Sequence, residues 1–174
     1  PIQMITAAAC IANDGVLLQP QIVDHITNTD TGEVTTFSKQ EVRQVFSKET
    51  SDKVASMMES VVEDGTGKKV KYDDSIKDSM SGYSIGGKTG TSEPINGSTD
   101  GYIASFLAIS PVENTKIVLL VILDTPGEGV NHNGGQIAAP TAGKMLSEIL
   151  PYMGIETGNK DSESNGNISE KDLY

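Results

Sequence analysis

Lys88 and Thr89 are followed by Gly90, Pro94, Gly97 and Gly101, a composition that leaves no room for a helix just after them. At ~1 kcal/mol per glycine and ~3 per proline in a helix interior, this stretch must be strand or loop. The consequence is large, because Gly82 to Thr89 (GYSIGGKT) satisfies G-x-x-x-x-G-K-[ST], the phosphate-cradling loop of P-loop NTPases. Such a loop runs directly into a helix whose N-terminal N–H groups and dipole hold the phosphates. It also needs a buried strand before its first glycine, where this chain has the charged run Asp73-Asp74-Ser75-Ile76-Lys77-Asp78-Ser79. The apolar run from Ile117 to Leu123, ending in Asp124, imitates a magnesium-binding strand, but any buried strand entering a turn does so. Nucleotide hydrolysis is therefore disfavoured, and Ser84 to Thr91 reads as a strand.

At 174 residues the chain can build one domain with a proper core. Its 36% hydrophobic and 5% aromatic content is low for such a unit. Part of the deficit sits between Thr157 and Asp172, where Ile168 is the sole apolar residue. Residues 1–150 are thus read as the folded portion, and 151–174 as an acidic polar tail or linker without fixed structure. A net charge of −11 and one arginine, Arg43, exclude nucleic acid, which requires clustered basic residues. Cys10, alone in a run of small residues, reads as a core thiol. No cysteine–histidine cluster suggests a metal, no cofactor motif survives, and His25 and His132 have no motif around them. No apolar run reaches the ~18 residues needed to span a bilayer. The start at Pro1, inside an apparent helix, suggests a piece of a longer polypeptide.

Hydropathy periods divide the rest. Pro1 to Asn13 reads as a helix stopped by Asp14-Gly15. Val16 to Ile26 and Gly32 to Phe37 read as strands about an Asp30-Thr31-Gly32 turn. A second helix opens at Ser47, an N-cap candidate, with Val54, Met57, Met58, Val61 and Val62 at helical spacing. Asp64-Gly65-Thr66-Gly67 ends it, and a polar loop follows. Gly86 and Gly87 in the strand after that loop permit close backbone approach. Tyr102 to Ser110 and Lys116 to Leu123 are strong strands joined by a short turn, giving an antiparallel meander with Ser84–Thr91. Gly134 to Leu150 is a final helix, which Pro140 could instead begin. The predicted class is mixed α and β (α/β), an antiparallel sheet flanked by helices.

In that order, the elements carry four informative stretches. They are Pro1-Ile2-Gln3-Met4 running to Asn13-Asp14-Gly15 and Gln19-Pro20, Val61 to Gly67, Gly87-Lys88-Thr89-Gly90-Thr91, and Gly134 to Pro140. On these, the chain resembles the C-terminal part of the transpeptidase domain of class B penicillin-binding proteins, closest to the division and sporulation group. The resemblance implies the penicillin-binding transpeptidase and serine β-lactamase-like fold. It also implies a serine acyl-enzyme mechanism on peptidoglycan stem peptides ending in D-Ala-D-Ala, and binding of β-lactams by the parent protein. The family takes its nucleophile from S-x-x-K and a further element from S-x-N. No lysine here has serine three positions before it, and no asparagine has serine two before it. Both motifs would lie N-terminal to Pro1, so this chain alone is expected to be inactive.

Acyl transfer needs a fixed cation, hydroxyl donors for the substrate carboxylate, and N–H donors for the tetrahedral oxyanion. By resemblance, Lys88 and Thr91 are catalytic: Lys88 sets the positive potential, and the Thr91 N–H is half of the oxyanion hole. Thr89, Gly90, Thr91 and Ser92 bind substrate, with Thr89 and Thr91 hydroxyls on the carboxylate and Gly90 letting the stem peptide lie along the strand. Strand alternation sets Thr89 and Thr91 on one face and Lys88 on the other. Glu93 is a possible rim contact, and Gly134-Gly135-Gln136 is read as structural. The N-terminal half of the same domain is the expected partner, and the bare edge of the last strand a possible homodimer contact. The implied location is the extracytoplasmic face of a bacterial membrane, anchored by a segment outside this chain. A non-catalytic binding or scaffold module with the same fold is the alternative.

Overall fold

The computed structural model describes residues 1–93, 101–127 and 129–158. Its centre is a three-stranded antiparallel sheet, β5 (Gly86–Ser92), β6 (Ile103–Ser110) and β7 (Ile117–Asp124), in that spatial order. Around it run α1 (Ile2–Ala12), β1 (Val16–Leu18), β2 (His25–Thr27), β3 (Val34–Thr36), β4 (Glu41–Gln44), α2 (Lys48–Glu63), α3 (Lys69–Tyr72), α4 (Lys77–Met80) and α5 (Gly134–Tyr152). The meander and the mixed α/β class stand as the sequence implies. β5 stays extended through Ser92, so no helix begins at Lys88 and the phosphate-loop reading fails on geometry.

Because side chains alternate along a strand, the register divides the sheet into two faces. Gly87, Thr89 and Thr91 pair with Ala108, Phe106 and Ala104, and these continue to Leu119, Val121 and Leu123. That face holds the main core, closed by Val62, Val70, Met80, Ala138, Ala142 and Leu146. On the opposite face, Leu107, Ile109 and Val118 pack with Ala55, Met58 and Ile11 of the first two long helices. Cys10 is buried in α1 as a core thiol, and burial pushes its pKa up.

Ser47 caps α2, its hydroxyl accepting from the Thr50 N–H at 3.3 Å. The buried stripe of that helix is Ser51, Ala55, Met58 and Val62. Met57, counted on the apolar face by periodicity, points to solvent. The stripe drifts because the helix also packs on α1, where Ser51 donates its hydroxyl to the Ile11 carbonyl.

Two features were not legible in the pattern. β4 pairs with β1 although EVRQ shows no alternation of apolar residues. The segment read as a polar loop holds α3 and α4, which bury Val70 and Met80 completely. Lys71 ties α3 to α2 through Glu63 at 2.7 Å; burial pulls its pKa down, but the Glu63 hydrogen bond and charge outweigh this and raise it. The final helix expected over Gly134 to Leu150 forms as α5, with Pro140 inside it, and continues to Tyr152.

The expected tail begins at 151, but Ile155 packs on the main core and the Gly158 N–H donates to the Gly82 carbonyl at 3.1 Å. Residues 159–174 lie outside the described ones. The β2–β3 hairpin forms about the predicted turn.

Phe106 is fully buried, and a methyl group added at Gly67 or Gly87 would run into its ring. Replacing it with alanine empties the space between the α2 turn and β5. F106A is expected to cost about 3–5 kcal/mol, read as a lower urea midpoint with an unchanged m-value.

Candidate active site

Lys88, Thr89, Gly90, Thr91 and Ser92 are consecutive on β5, a strand whose sole partner among the described residues is β6. Its outer edge therefore offers unpaired backbone groups to an added strand. Lys88 is exposed, and its ammonium donates to the Thr89 carbonyl at 2.8 Å, curling along the strand. Register sets it on the face opposite Thr89 and Thr91, with Gly90. Gly90 faces Ser105, and a Cβ there would come within 2.5 Å of the Ser105 hydroxyl oxygen. Ser92, at the strand end, donates its hydroxyl to the Glu93 carbonyl at 3.3 Å.

The two threonines meet two other parts of the fold. Thr89 Oγ1 lies 2.8 Å from Thr66 Oγ1, on the turn that ends α2. Thr91 Oγ1 accepts from the Gly134 N–H, at the start of α5, at 3.0 Å. An amide N–H can only donate, so the Thr91 oxygen is the acceptor and its own proton is left to donate elsewhere. Thr91 is thus a hydroxyl donor presented at an exposed position.

The N-terminus of α5 reaches β5 because it begins with two glycines. A Cβ on Gly134 would clash with the carbonyl oxygens of Gly90 and Ser105, and one on Gly135 with the Thr66 carbonyl. Asn133 secures the helix start, its side-chain oxygen accepting from the Gly135 N–H at 2.9 Å. Asn131 in turn accepts from the Asn133 N–H at 2.8 Å. The structural role read for Gly134-Gly135-Gln136 agrees with this docking.

Sequence reasoning gave no site role to Thr66, Tyr102 or His132. Thr66 lies in the Val61–Gly67 stretch, but nothing in a linear pattern says that it faces Thr89. Tyr102 and His132 stack with ring centroids 3.9 Å apart and 16° between planes. Tyr102 directly precedes Ile103, the partner of Ser92, so the stack stands beside the end of the KTGTS strand. His25 is paired on the surface with Asp24 at 2.9 Å. A groove of about 820 Å³ lined by Glu59, Glu63, Tyr83, Ser84 and Glu156 opens beyond the opposite, N-terminal end of β5.

Comparison with known proteins gives consistent matches. The family model for the penicillin binding protein transpeptidase domain matches residues 1–147. Stage V sporulation protein D of Bacillus subtilis is 31% identical over 163 residues, covering 90% of this chain and 23% of that protein. Penicillin-binding protein PbpB of Mycolicibacterium smegmatis is 32% identical over 155 residues, covering 86% of this chain and 24% of that one. Among solved structures, penicillin binding protein 3 of Mycobacterium tuberculosis complexed with ampicillin superposes with a TM-score of 0.75 at 27% identity. That match covers 92% of this chain and 36% of the solved one. The chain spans about a quarter of the length of these curated relatives.

The tight seat of α5 on β5 has a measurable consequence. G134A forces the helix start off the Gly90 and Ser105 carbonyls, at an expected cost of about 1–3 kcal/mol. Thermal unfolding should show the loss, and an alanine variant as stable as the native chain would contradict the close approach.

Proposed function

The chain belongs to the transpeptidase domain family of the class B penicillin-binding proteins, and from that premise we propose that it forms the KTGT wall of the cleft of a peptidoglycan D,D-transpeptidase. The parent enzyme acylates a serine with a stem peptide, releases D-alanine, and passes the acyl group to the amine of a neighbouring stem. Thr89 and Thr91 hold the substrate's terminal carboxylate through their hydroxyls. Lys88 supplies the positive potential, and the Thr91 N–H shares the oxyanion hole with the nucleophile. Gly90 and Ser92 line the edge along which the stem peptide lies as an added strand. The nucleophile and the S-x-N element come from the N-terminal half of the domain.

One observation carries this reading. The Gly134 N–H occupies the Thr91 oxygen as acceptor, so this exposed hydroxyl, on the same strand as Lys88, has a proton to give to an anion. β-Lactams carry such an anion and would occupy the same wall; related penicillin binding protein 3 has been solved with ampicillin and with aztreonam. The parent works on the extracytoplasmic face of a bacterial membrane through an anchor outside this chain. No helix among the described residues is itself long and apolar enough to cross a bilayer.

Fluorescent penicillin tests the reading. The full-length protein is expected to be labelled covalently, and K88A to slow labelling about 10–100-fold, as for loss of a charge-assisted contact of ~1.5–3 kcal/mol. The 174-residue chain alone should remain unlabelled; a labelled serine within it would refute the assignment of the nucleophile. β7 pairs only with β6 among the described residues and leaves Ile122 about 40% exposed. The isolated chain is therefore expected to self-associate through this edge, and light scattering that finds a monomer at high concentration would count against it.

A further inference from the structure

We propose that Thr66 is a positioning residue for the bound carboxylate: its hydroxyl donates to Thr89 Oγ1 and so turns the Thr89 proton outward to the substrate. The inference rests on the reading that Thr89 and Thr91 bind a carboxylate, and adds the group that gives Thr89 its polarity. The two hydroxyl oxygens are 2.8 Å apart, with either able to be the donor. One proton lies in that bond and one is left over. If Thr89 donates to Thr66, Thr89 turns lone pairs toward the open side, and these repel an anion. If Thr66 donates, Thr89 has its own proton to offer.

The neighbouring threonine decides which arrangement a carboxylate selects. Thr91 accepts from the Gly134 N–H and keeps its own proton to donate, and Thr89 stands two residues away on the same strand face. Only with Thr66 donating do both threonines present O–H groups to one anion. Donation into Thr89 Oγ1 also polarises its O–H bond and strengthens the outward contact.

Thr66 is held in place for this task. The Gly67 N–H donates to the Val61 carbonyl at 2.9 Å, and Gly67 is pressed against the Phe106 ring, where a Cβ would lie 3.0 Å from it. The Thr66 carbonyl abuts Gly135, which has no side chain to push it away. A purely structural tie between the α2 turn and β5 would influence every ligand alike. A proton-orienting role acts on carboxylates selectively.

The test uses the full-length protein and compares acylation rate constants for benzylpenicillin and for its methyl ester, which lacks the charge. T66V is expected to lower the benzylpenicillin rate about tenfold, in keeping with a hydrogen bond to a charged group. The ester rate should move less than about twofold, and T66S should restore the carboxylate preference. T89V should lower the same preference at least as far as T66V does, and T66V/T89V should lose no more than T89V alone. If the native protein is not acylated at all, the transpeptidase reading falls. If it is acylated and T66V retains the native acid-to-ester ratio, or loses both rates equally at unchanged thermal stability, the role of Thr66 is overturned while that reading stands. Should T66V fail to fold, T66S and T66A decide by the same ratio.

Discussion

The N-terminus of α5 rests on the backbone of β5 and β6 at Gly90 and Ser105, at a separation that no side chain fits. Gly134 and Gly135 make that contact possible, and the rest of the site follows from it. The contact brings one amide N–H to the Thr91 oxygen and leaves the Thr91 proton for another acceptor. It sets Gly135 against the Thr66 carbonyl and so joins the turn after α2 to the same strand. The helix dipole adds to the effect, since a positive helix end lies beside the donors. A larger residue at either glycine would separate three elements at once.

The local chemistry runs against the charge of the whole. The chain carries −11, yet the KTGT edge gathers an ammonium, hydroxyl donors and a helix N-terminus. Charges separated by more than about 8–10 Å in salt are largely screened, so the nearby groups govern what the edge attracts. The acidic side chains lining the groove at the other end of β5, Glu59, Glu63, Glu113 and Glu156, belong to a different part of the surface.

Two packed faces hold β5 in position. Phe106, on one side of the sheet, fills the space left by Gly67 and Gly87, while Met58 and Ile109, on the other, close over Gly86. The glycines before Lys88 are therefore packing devices, with no phosphate to cradle. Their lack of side chains lets α2 press on one face of the strand and the Phe106 ring on the other, and a strand so pressed keeps its donors in register.

Much of this was legible in the residues. Breakers after Thr89 forbade a helix, alternation set Thr89 and Thr91 together, and the three strands followed from runs of apolar residues between turn signals. Short helices at Lys69–Tyr72 and Lys77–Met80 escaped because single residues, Val70 and Met80, carry their burial amid charged neighbours. β4 escaped because a strand without alternation has no period to detect. Thr66 and Thr89, or Tyr102 and His132, meet only through long-range packing, and a linear pattern contains no term for that. Sequence alone determined that no helix follows Lys88, since glycine and proline costs are local. The tertiary structure alone decided which group meets each threonine hydroxyl, because Thr66 and the Gly134 N–H are brought to the strand from a distant turn and a distant helix start.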